Sequence, residues 1–222
     1  MIKALEYATK MHEGQVRKYT GEEYITHPVA VADLVEEYMD SKGTFTEEEI
    51  QMAIQVAILH DTVEDTVATM ESIEGFFGPE IAKGVWFMTK TPDYVGNRKF
   101  RKELCEMRLR EAPEIIRILK TCDMFHNSLS IEAHDPKFWK TFKEETVSLL
   151  IAMDTLEVMG ELEVLNAKKG YIMKIKGATT VLNKECEFLG LSWDQLMQFI
   201  ERNPLAMPIR VLDAYKVYKN AK

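Results

Sequence analysis

Apolar residues recur at helical spacing along nearly the whole chain. Ala4, Leu5, Ala8 and Met11 lie on one face of a predicted helix, and the stretch 50–58 repeats the same pattern. A spacing of three and four residues is typical of amphipathic helices, whereas strict alternation, which would indicate strands, is almost absent. We therefore predict an all-α fold.

Turn-forming residues divide this helical pattern into separate elements. Thr46, followed three residues later by Glu49, is a capping-box signature that predicts a helix running to His60. Two later helices are predicted over 113–127 and 136–159. Glycine, proline and short polar residues predict breaks between helices. These breaks fall at 21–28, 40–46, 77–79 and 91–97.

The chain has 222 residues, enough to bury a core in one domain and to carry a helical appendage. All residues that suggest chemistry come before position 160. We therefore predict a functional domain over 1–160 and a helical extension over 161–222. Two interpretations of the extension stay open, since its helical pattern suits either packing against the domain or binding of a partner.

The formal net charge is −8, which argues against a broad surface for nucleic acid or anionic membranes. Three scattered cysteines do not make a disulfide framework, so a reducing cytoplasm is expected. The N-terminal stretch carries acidic residues and no long apolar run, and we expect neither a signal peptide nor a membrane anchor there. Nothing in the sequence decides the oligomeric state.

The stretch ILHDTVEDT, directly after an apolar helix, concentrates groups that bind metals or move protons. His60 offers an imidazole nitrogen and Asp61 a carboxylate, and together they could bind one divalent ion. Glu64 and Asp65 follow one helical turn later, close enough to handle a proton beside that ion. Two ligands do not complete a site, so other segments must contribute.

His27 and Asp123 are the candidates for the missing ligands. His27 precedes a proline at a predicted helix start, and Asp123 lies in the stretch KTCDMFHN. Each has an ordinary alternative, because a single histidine at a helix start is often a cap and a single aspartate often forms an interhelical salt bridge. A site with two nitrogen and two carboxylate ligands would suit Mn, Fe, Co or Zn better than Mg.

The order of several separated motifs is more specific than any single residue. The chain reads RKYTGEEYITHP, then LHDTVEDT, FGPEIAKGVWFMTK, NRKFRK and KTCDMFHN. Over about residues 4–127 this resembles the hydrolase domain of the RelA/SpoT family of alarmone enzymes and its small stand-alone relatives, which have an all-α HD-type fold. The resemblance implies an HD-domain helical bundle.

The resemblance also implies roles for individual residues. It implies that a single Mn²⁺ ion is bound by His27, His60, Asp61 and Asp123. It implies that Glu64 and Asp65 position and activate the attacking water. The substrate contacts that it implies are Arg17, Lys18, Lys90, Arg101 and Asn127, and a second basic segment of the family matches Thr89, Lys90, Asn97, Arg101 and Lys102.

This sequence departs from the family pattern near the substrate. Relatives carry a basic residue after the metal-binding aspartate and an arginine shortly after the asparagine. Here Met124 and the run Ser128-Leu129-Ser130 stand at those positions. The predicted helix segment 146–159 also lacks the aromatic residue that relatives place near the nucleotide. We therefore expect the nucleobase selectivity to be looser than, or different from, that of the family.

The leading hypothesis is a Mn-dependent guanosine-3′,5′-bis(diphosphate) 3′-pyrophosphohydrolase, acting on a phosphorylated purine nucleotide in the cytoplasm. One alternative is another HD-type phosphohydrolase, such as a nucleotide monophosphatase. A second alternative is a module that binds an alarmone without catalysis. The presence of both Glu64 and Asp65 argues against this second alternative, because a sensor has no need of water-activating acids.

Overall fold

The computed structural model describes residues 2–189, 191–202 and 209–220, and the end of the predicted extension lies outside them. These residues form helices and connecting loops, and within them the only β-type pairing is an isolated bridge between Val16 and Glu23. The all-α prediction is therefore confirmed. The helices are α1 (Ile2–Met11), α2 (Thr26–Lys42), α3 (Glu47–Leu59), α4 (Thr62–Asp65), α5 (Met70–Phe77), α6 (Pro79–Met88), α7 (Arg98–Arg110), α8 (Glu114–His134), α9 (Pro136–Met153), α10 (Leu156–Leu189), α11 (Trp193–Arg202) and α12 (Ile209–Lys219).

The described chain divides into two compact units, Met1–Leu162 and Glu163–Lys222, so the division lies two residues beyond the predicted boundary. In the second unit, Leu182 of α10, Leu196 and Ile200 of α11, and Val211 of α12 form a small buried core. The residues proposed for chemistry all lie in the first unit. None of the described helices is long and apolar enough to cross a membrane.

Helix α3 is the central element of the first unit and packs against α1, α2, α6 and α8. Its start is the predicted one, because Thr46 accepts a hydrogen bond from the backbone N–H of Glu49 and the Glu49 side chain accepts one from Thr46. Helix α6 crosses α3 at Gly84, where a Cβ atom would lie 2.6 Å from Val56 Cγ2. Only glycine allows this close approach, which fixes how α6 packs beside the end of α3.

The prediction of one helix over 136–159 is wrong. Helix α9 ends at Met153, because Asp154 adopts a left-handed conformation with φ of 57°. The next residue, Thr155, is buried and forms a hydrogen bond with Thr121 of α8, at 3.0 Å between the hydroxyl oxygens. The apolar pattern continues on both sides of this turn, so periodicity alone could not reveal the break. The helix predicted over 113–127 is correct in position but continues to His134.

Candidate metal centre

His60 lies at the point where α3 ends and the chain turns into α4. Its Nδ1 lies 2.6 Å from the carbonyl oxygen of Ala57, which can only accept, so Nδ1 carries a proton and Nε2 is the ring nitrogen left to bind either a second proton or a metal ion. His60 is 1% exposed, and its Nε2 has no hydrogen-bond partner. A buried polar atom without a partner is costly and calls for an explanation. A bound cation would satisfy this nitrogen.

His27 approaches the same place from the first turn of α2. Its Nε2 lies 3.1 Å from Asp123 Oδ1 and 3.6 Å from Asp61 Oδ2. On the other side of the ring, Nδ1 lies 2.8 Å from Nδ1 of His126, and the two rings stack. This second contact fixes the ring orientation, as outer partners of metal-binding histidines commonly do.

The two aspartates complete the cluster from two further elements. Asp61 follows His60 directly, and its Oδ2 lies 3.1 Å from His60 Nε2. Asp123 lies in the buried middle of α8. One ligand atom from each of His27, His60 and Asp123 lies within 4.8 Å of the other two. The four predicted ligands are thus brought together, and their donor set fits one divalent transition-metal ion.

The electrostatics of the cluster favour positive charge. Burial alone would raise the pKa of Asp123, but Lys120 and the two histidines hold it well below its usual range. Burial lowers the pKa of His60, but the Asp61 and Asp123 carboxylates outweigh burial and raise it to about 10. Burial lowers the pKa of His27 below its usual range. The carboxylate field that favours a proton on His60 Nε2 would equally favour a metal cation there.

The acidic pair lies on α4, immediately beside the cluster. Asp65 Oδ2 accepts a hydrogen bond from the Tyr24 hydroxyl at 2.8 Å. Glu64 forms an ion pair with the Lys90 ammonium group and accepts a hydrogen bond from the Lys90 backbone N–H at 3.1 Å. Both carboxylates are therefore held in place by contacts from other segments, as groups that handle protons must be.

A chain of hydrogen bonds leads from the cluster towards Arg17. Asn127 lies one helical turn after Asp123, and its Nδ2 donates to Asp123 Oδ1 at 2.8 Å. Arg17 Nη2 in turn donates to Asn127 Oδ1 at 2.8 Å. Arg17 and Asn127, both predicted substrate contacts, therefore lie beside the candidate metal site.

The other predicted substrate contacts lie in different surroundings. Lys18 is 76% exposed and lies 3.9 Å from Asp135, while Lys90 pairs with Glu64. Arg101 binds Asp93 and the carbonyl oxygen of Gly96, which ties it to its own loop.

In the rest of the second basic segment, Asn97 caps α7, the Thr89 hydroxyl donates to Val85 of its own helix, and Lys102 forms an ion pair with Glu145. The structure thus gives most of this segment partners within the protein.

Three further residues contact the proposed ligands, and the sequence did not predict the contacts of Tyr24 and His126. Tyr24 contacts Asp61, His126 contacts His27, and Lys120 contacts Asp123 at 2.8 Å. Lys120 and His126 each lie three residues from Asp123 on α8, a spacing that places helical side chains on one face, whereas Tyr24 lies in the turn before α2. Burial, together with the charges of His27 and Arg17, lowers the pKa of His126 to about 4. His126 is therefore neutral, and its Nδ1 can accept a hydrogen bond from the Nδ1–H of His27.

Comparisons with known proteins show which proteins this chain resembles. Residues 4–95 match the family model described as HD domain. The protein named GTP pyrophosphokinase rsh of Brucella suis biovar 1 is 33% identical over 153 residues, covering 66% of this chain and 19% of that protein. A protein of Aquifex aeolicus named guanosine-3′,5′-bis(diphosphate) 3′-pyrophosphohydrolase is 35% identical over 167 residues, covering 72% of this chain and 20% of that protein. The chain thus spans about a fifth of the length of these relatives.

A shorter relative matches over most of its own length. The Danio rerio protein MESH1, named as a guanosine-3′,5′-bis(diphosphate) 3′-pyrophosphohydrolase, is 29% identical over 143 residues, covering 63% of this chain and 73% of that protein. A solved metazoan ortholog of SpoT superposes with a TM-score of 0.61 at 21% identity, covering 76% of this chain and 94% of that one. The predicted HD-type fold and the predicted resemblance to RelA/SpoT hydrolase domains are confirmed.

Proposed function

We propose that this HD-domain protein is a metal-dependent 3′-pyrophosphohydrolase of guanosine-3′,5′-bis(diphosphate) or a close analogue. The observation that carries the proposal is the convergence of His27, His60, Asp61 and Asp123 around the unpartnered Nε2 of His60. The names of the related MESH1 and Aquifex aeolicus proteins support the same substrate class. A cytoplasmic location is part of the proposal.

The four clustered residues are proposed to hold one divalent ion. An HD domain implies such an ion, and two imidazoles with two carboxylates suit Mn, Fe, Co or Zn. Among these metals we propose Mn²⁺ because the resemblance to the RelA/SpoT family implies it. When bound, the ion supplies Lewis-acid polarisation of a phosphoryl oxygen. The hydrogen bond from His60 Nδ1 to Ala57 and the contact between His27 and His126 keep both imidazole rings oriented for binding.

Glu64 and Asp65 are proposed to accept a proton from the attacking water at their carboxylate oxygens. Both lie one helical turn beyond the His60-Asp61 pair, and Tyr24 places Asp65 beside Asp61. General acid-base groups of this kind contribute about 10²- to 10⁴-fold to a rate. In the reaction, the bond between ribose O3′ and phosphorus breaks, water supplies the new oxygen on phosphorus, and O3′ takes up a proton.

Arg17 and Asn127 are proposed to orient the substrate. The Arg17 guanidinium lies next to Asn127, which is itself bound to Asp123, so both groups face the reacting centre. A guanidinium with several donors suits a diphosphate, and an amide suits a ribose hydroxyl. This arrangement would hold the 3′-diphosphate against the cluster and offset the charge that develops on the leaving group.

The proposal is tested by product analysis. Purified protein supplied with Mn²⁺ is incubated with guanosine tetraphosphate, its adenine counterpart and simple nucleoside monophosphates, and the products are identified by mass spectrometry. We expect intact pyrophosphate and GDP from the tetraphosphate. Orthophosphate from monophosphates alone would indicate the monophosphatase alternative. Tight binding without any product would indicate an alarmone sensor.

The ratio of kcat/KM for the guanine and adenine forms tests the looser base selectivity expected from Met124 and the Ser128-Leu129-Ser130 run.

A further inference from the structure

Tyr24 contacts both acidic parts of the site, although it lies outside the cluster and outside the acidic pair. Its hydroxyl oxygen lies 2.8 Å from Asp61 Oδ2 and 2.8 Å from Asp65 Oδ2. The Asp61 oxygen that it contacts is the same one that faces the imidazole nitrogens of His60 and His27. Tyr24 therefore joins a proposed metal ligand to a proposed proton acceptor.

The ring of Tyr24 is held firmly by residues of the loop that precedes α2. His12, which is 3% exposed, stacks on it with ring centroids 4.7 Å apart and planes inclined by 22°. His12 Nδ1 lies 2.8 Å from Gln15 Oε1, and Gln15 Nε2 donates to the backbone oxygen of Asp65 at 2.7 Å. The Tyr24 backbone N–H donates to the Gln15 carbonyl at 2.9 Å. This loop therefore fixes Tyr24 and the backbone of Asp65 relative to each other.

We propose that Tyr24 is a positioning residue, whose hydroxyl sets the Asp61 carboxylate for metal binding and the Asp65 carboxylate for proton transfer. One hydroxyl proton shared between two carboxylates keeps them at a fixed separation, where like charges would otherwise drive them apart. The kinetic part of this inference rests on the proposed function. The metal-binding part does not, because it needs no substrate.

The first test measures metal binding alone. Tyr24→Phe removes only the hydroxyl and keeps the ring that stacks on His12. Tyr7→Phe is the matched control, because it removes a hydroxyl that forms a hydrogen bond with Ser72 of α5, away from the cluster. Metal-free proteins are titrated with Mn²⁺ by calorimetry. We expect the Kd of Tyr24→Phe to rise about 10-fold or more, within the range of about 10- to 100-fold for loss of an outer partner of a metal ligand, and that of Tyr7→Phe to match wild type. Equal affinity in all three proteins would overturn the metal-binding part.

The second test asks whether Tyr24 acts through Asp65. At saturating Mn²⁺, Tyr24→Phe is expected to lower kcat by about 10- to 100-fold with little change in KM, because the hydroxyl orients protein groups and does not bind substrate. In the Asp65→Asn background the same substitution should cost less than about 3-fold, since a residue that acts through another shows coupling in a double-mutant cycle. Additive losses, or a change in KM alone, would overturn the kinetic part.

Two further results separate a folding failure of the variant from a failure of the proposed function. If Tyr24→Phe does not fold, as judged by circular dichroism, His12→Ala carries the same titration and cycle, because it keeps the hydroxyl but removes the ring that holds it. His12→Ala should then weaken Mn²⁺ binding and cost less in the Asp65→Asn background than in the wild-type background, and wild-type behaviour would overturn the proposal. If the wild-type protein releases no pyrophosphate from guanosine tetraphosphate, the proposed function fails, and the Mn²⁺ titration alone decides the role of Tyr24.

Discussion

The buried cluster lies at the start of α2, at the end of α3 and in the middle of α8. Its burial and its contacts differ sharply from those of the basic segment that leads into α7. His27 and His60 are each 1% exposed and point at one shared position. In the basic segment, Arg101 binds its own loop and Lys102 pairs with Glu145. Inside the cluster, the buried Nε2 of His60 has no hydrogen-bond partner, which fits a group that binds a ligand, whereas exposed charges readily find partners on the surface. We therefore expect substitutions in the cluster to act far more strongly than those in the basic segment.

The largest effect should come from removing a proposed ligand. Asp61→Ala takes away one of four donors and should lower both Mn²⁺ affinity and activity by more than about 100-fold. Loss of a residue that only supports a metal ligand costs up to about 100-fold, and loss of the ligand itself should cost more. Elemental analysis and turnover report the two losses. Added Mn²⁺ should raise the Tm of the wild-type protein but not that of the variant, because only a ligand bound to the folded state stabilises it. Full metal content in Asp61→Ala would mean that the site is misassigned.

The acidic pair should show a large loss of a different kind. Glu64→Gln and Asp65→Asn keep the shape of the side chains but remove a proton acceptor, so each should retain Mn²⁺ and lose about 10²-fold or more in kcat. Calorimetry measures the retained metal binding and steady-state kinetics the lost turnover. Near-normal rates in both variants would remove these residues from the proton transfer.

Arg17 and Lys18 allow a direct comparison of two neighbouring cations. Arg17→Gln should raise KM about 10-fold, since hydrogen bonds of charged groups are worth about 1.5–3 kcal/mol and Arg17 lies beside Asn127. Lys18→Gln should raise KM by less than about 3-fold, because an exposed charge contributes about 0–1 kcal/mol. Steady-state kinetics at fixed ionic strength would check both values. Equal effects would mean that exposure does not separate the two residues.

A similarly small effect is expected at Lys90, the basic-segment residue that contacts the acidic pair. Lys90→Gln removes the ammonium group from Glu64 but keeps the backbone N–H, which donates to the same carboxylate. Because the Lys90 side chain is 71% exposed, kcat should fall by about fivefold or less. A loss as large as that of Glu64→Gln would show that Lys90 contacts the substrate directly.

The fold and the clustering of the proposed ligands could be predicted from the sequence more fully than the contacts around those ligands. The capping box at Thr46 and the polar run after α3 are local signals, and the structure follows them closely. The end of α9 at Asp154 depends on a turn whose Thr155 binds Thr121 on another helix, a contact that no local pattern contains. The same holds for Tyr24, whose hydroxyl meets carboxylates 37 and 41 residues away in the chain. The contacts missed by the sequence are therefore those formed between distant segments.

Anomalous diffraction from crystals grown with Mn²⁺ tests the central claim most directly, because it locates the ion without reference to any substrate. The claim predicts one strong anomalous peak within coordination distance of His27 Nε2, His60 Nε2 and the carboxylates of Asp61 and Asp123. Two results would contradict the claim while these four side chains still converge as they do here. One is a peak elsewhere, and the other is no peak at all.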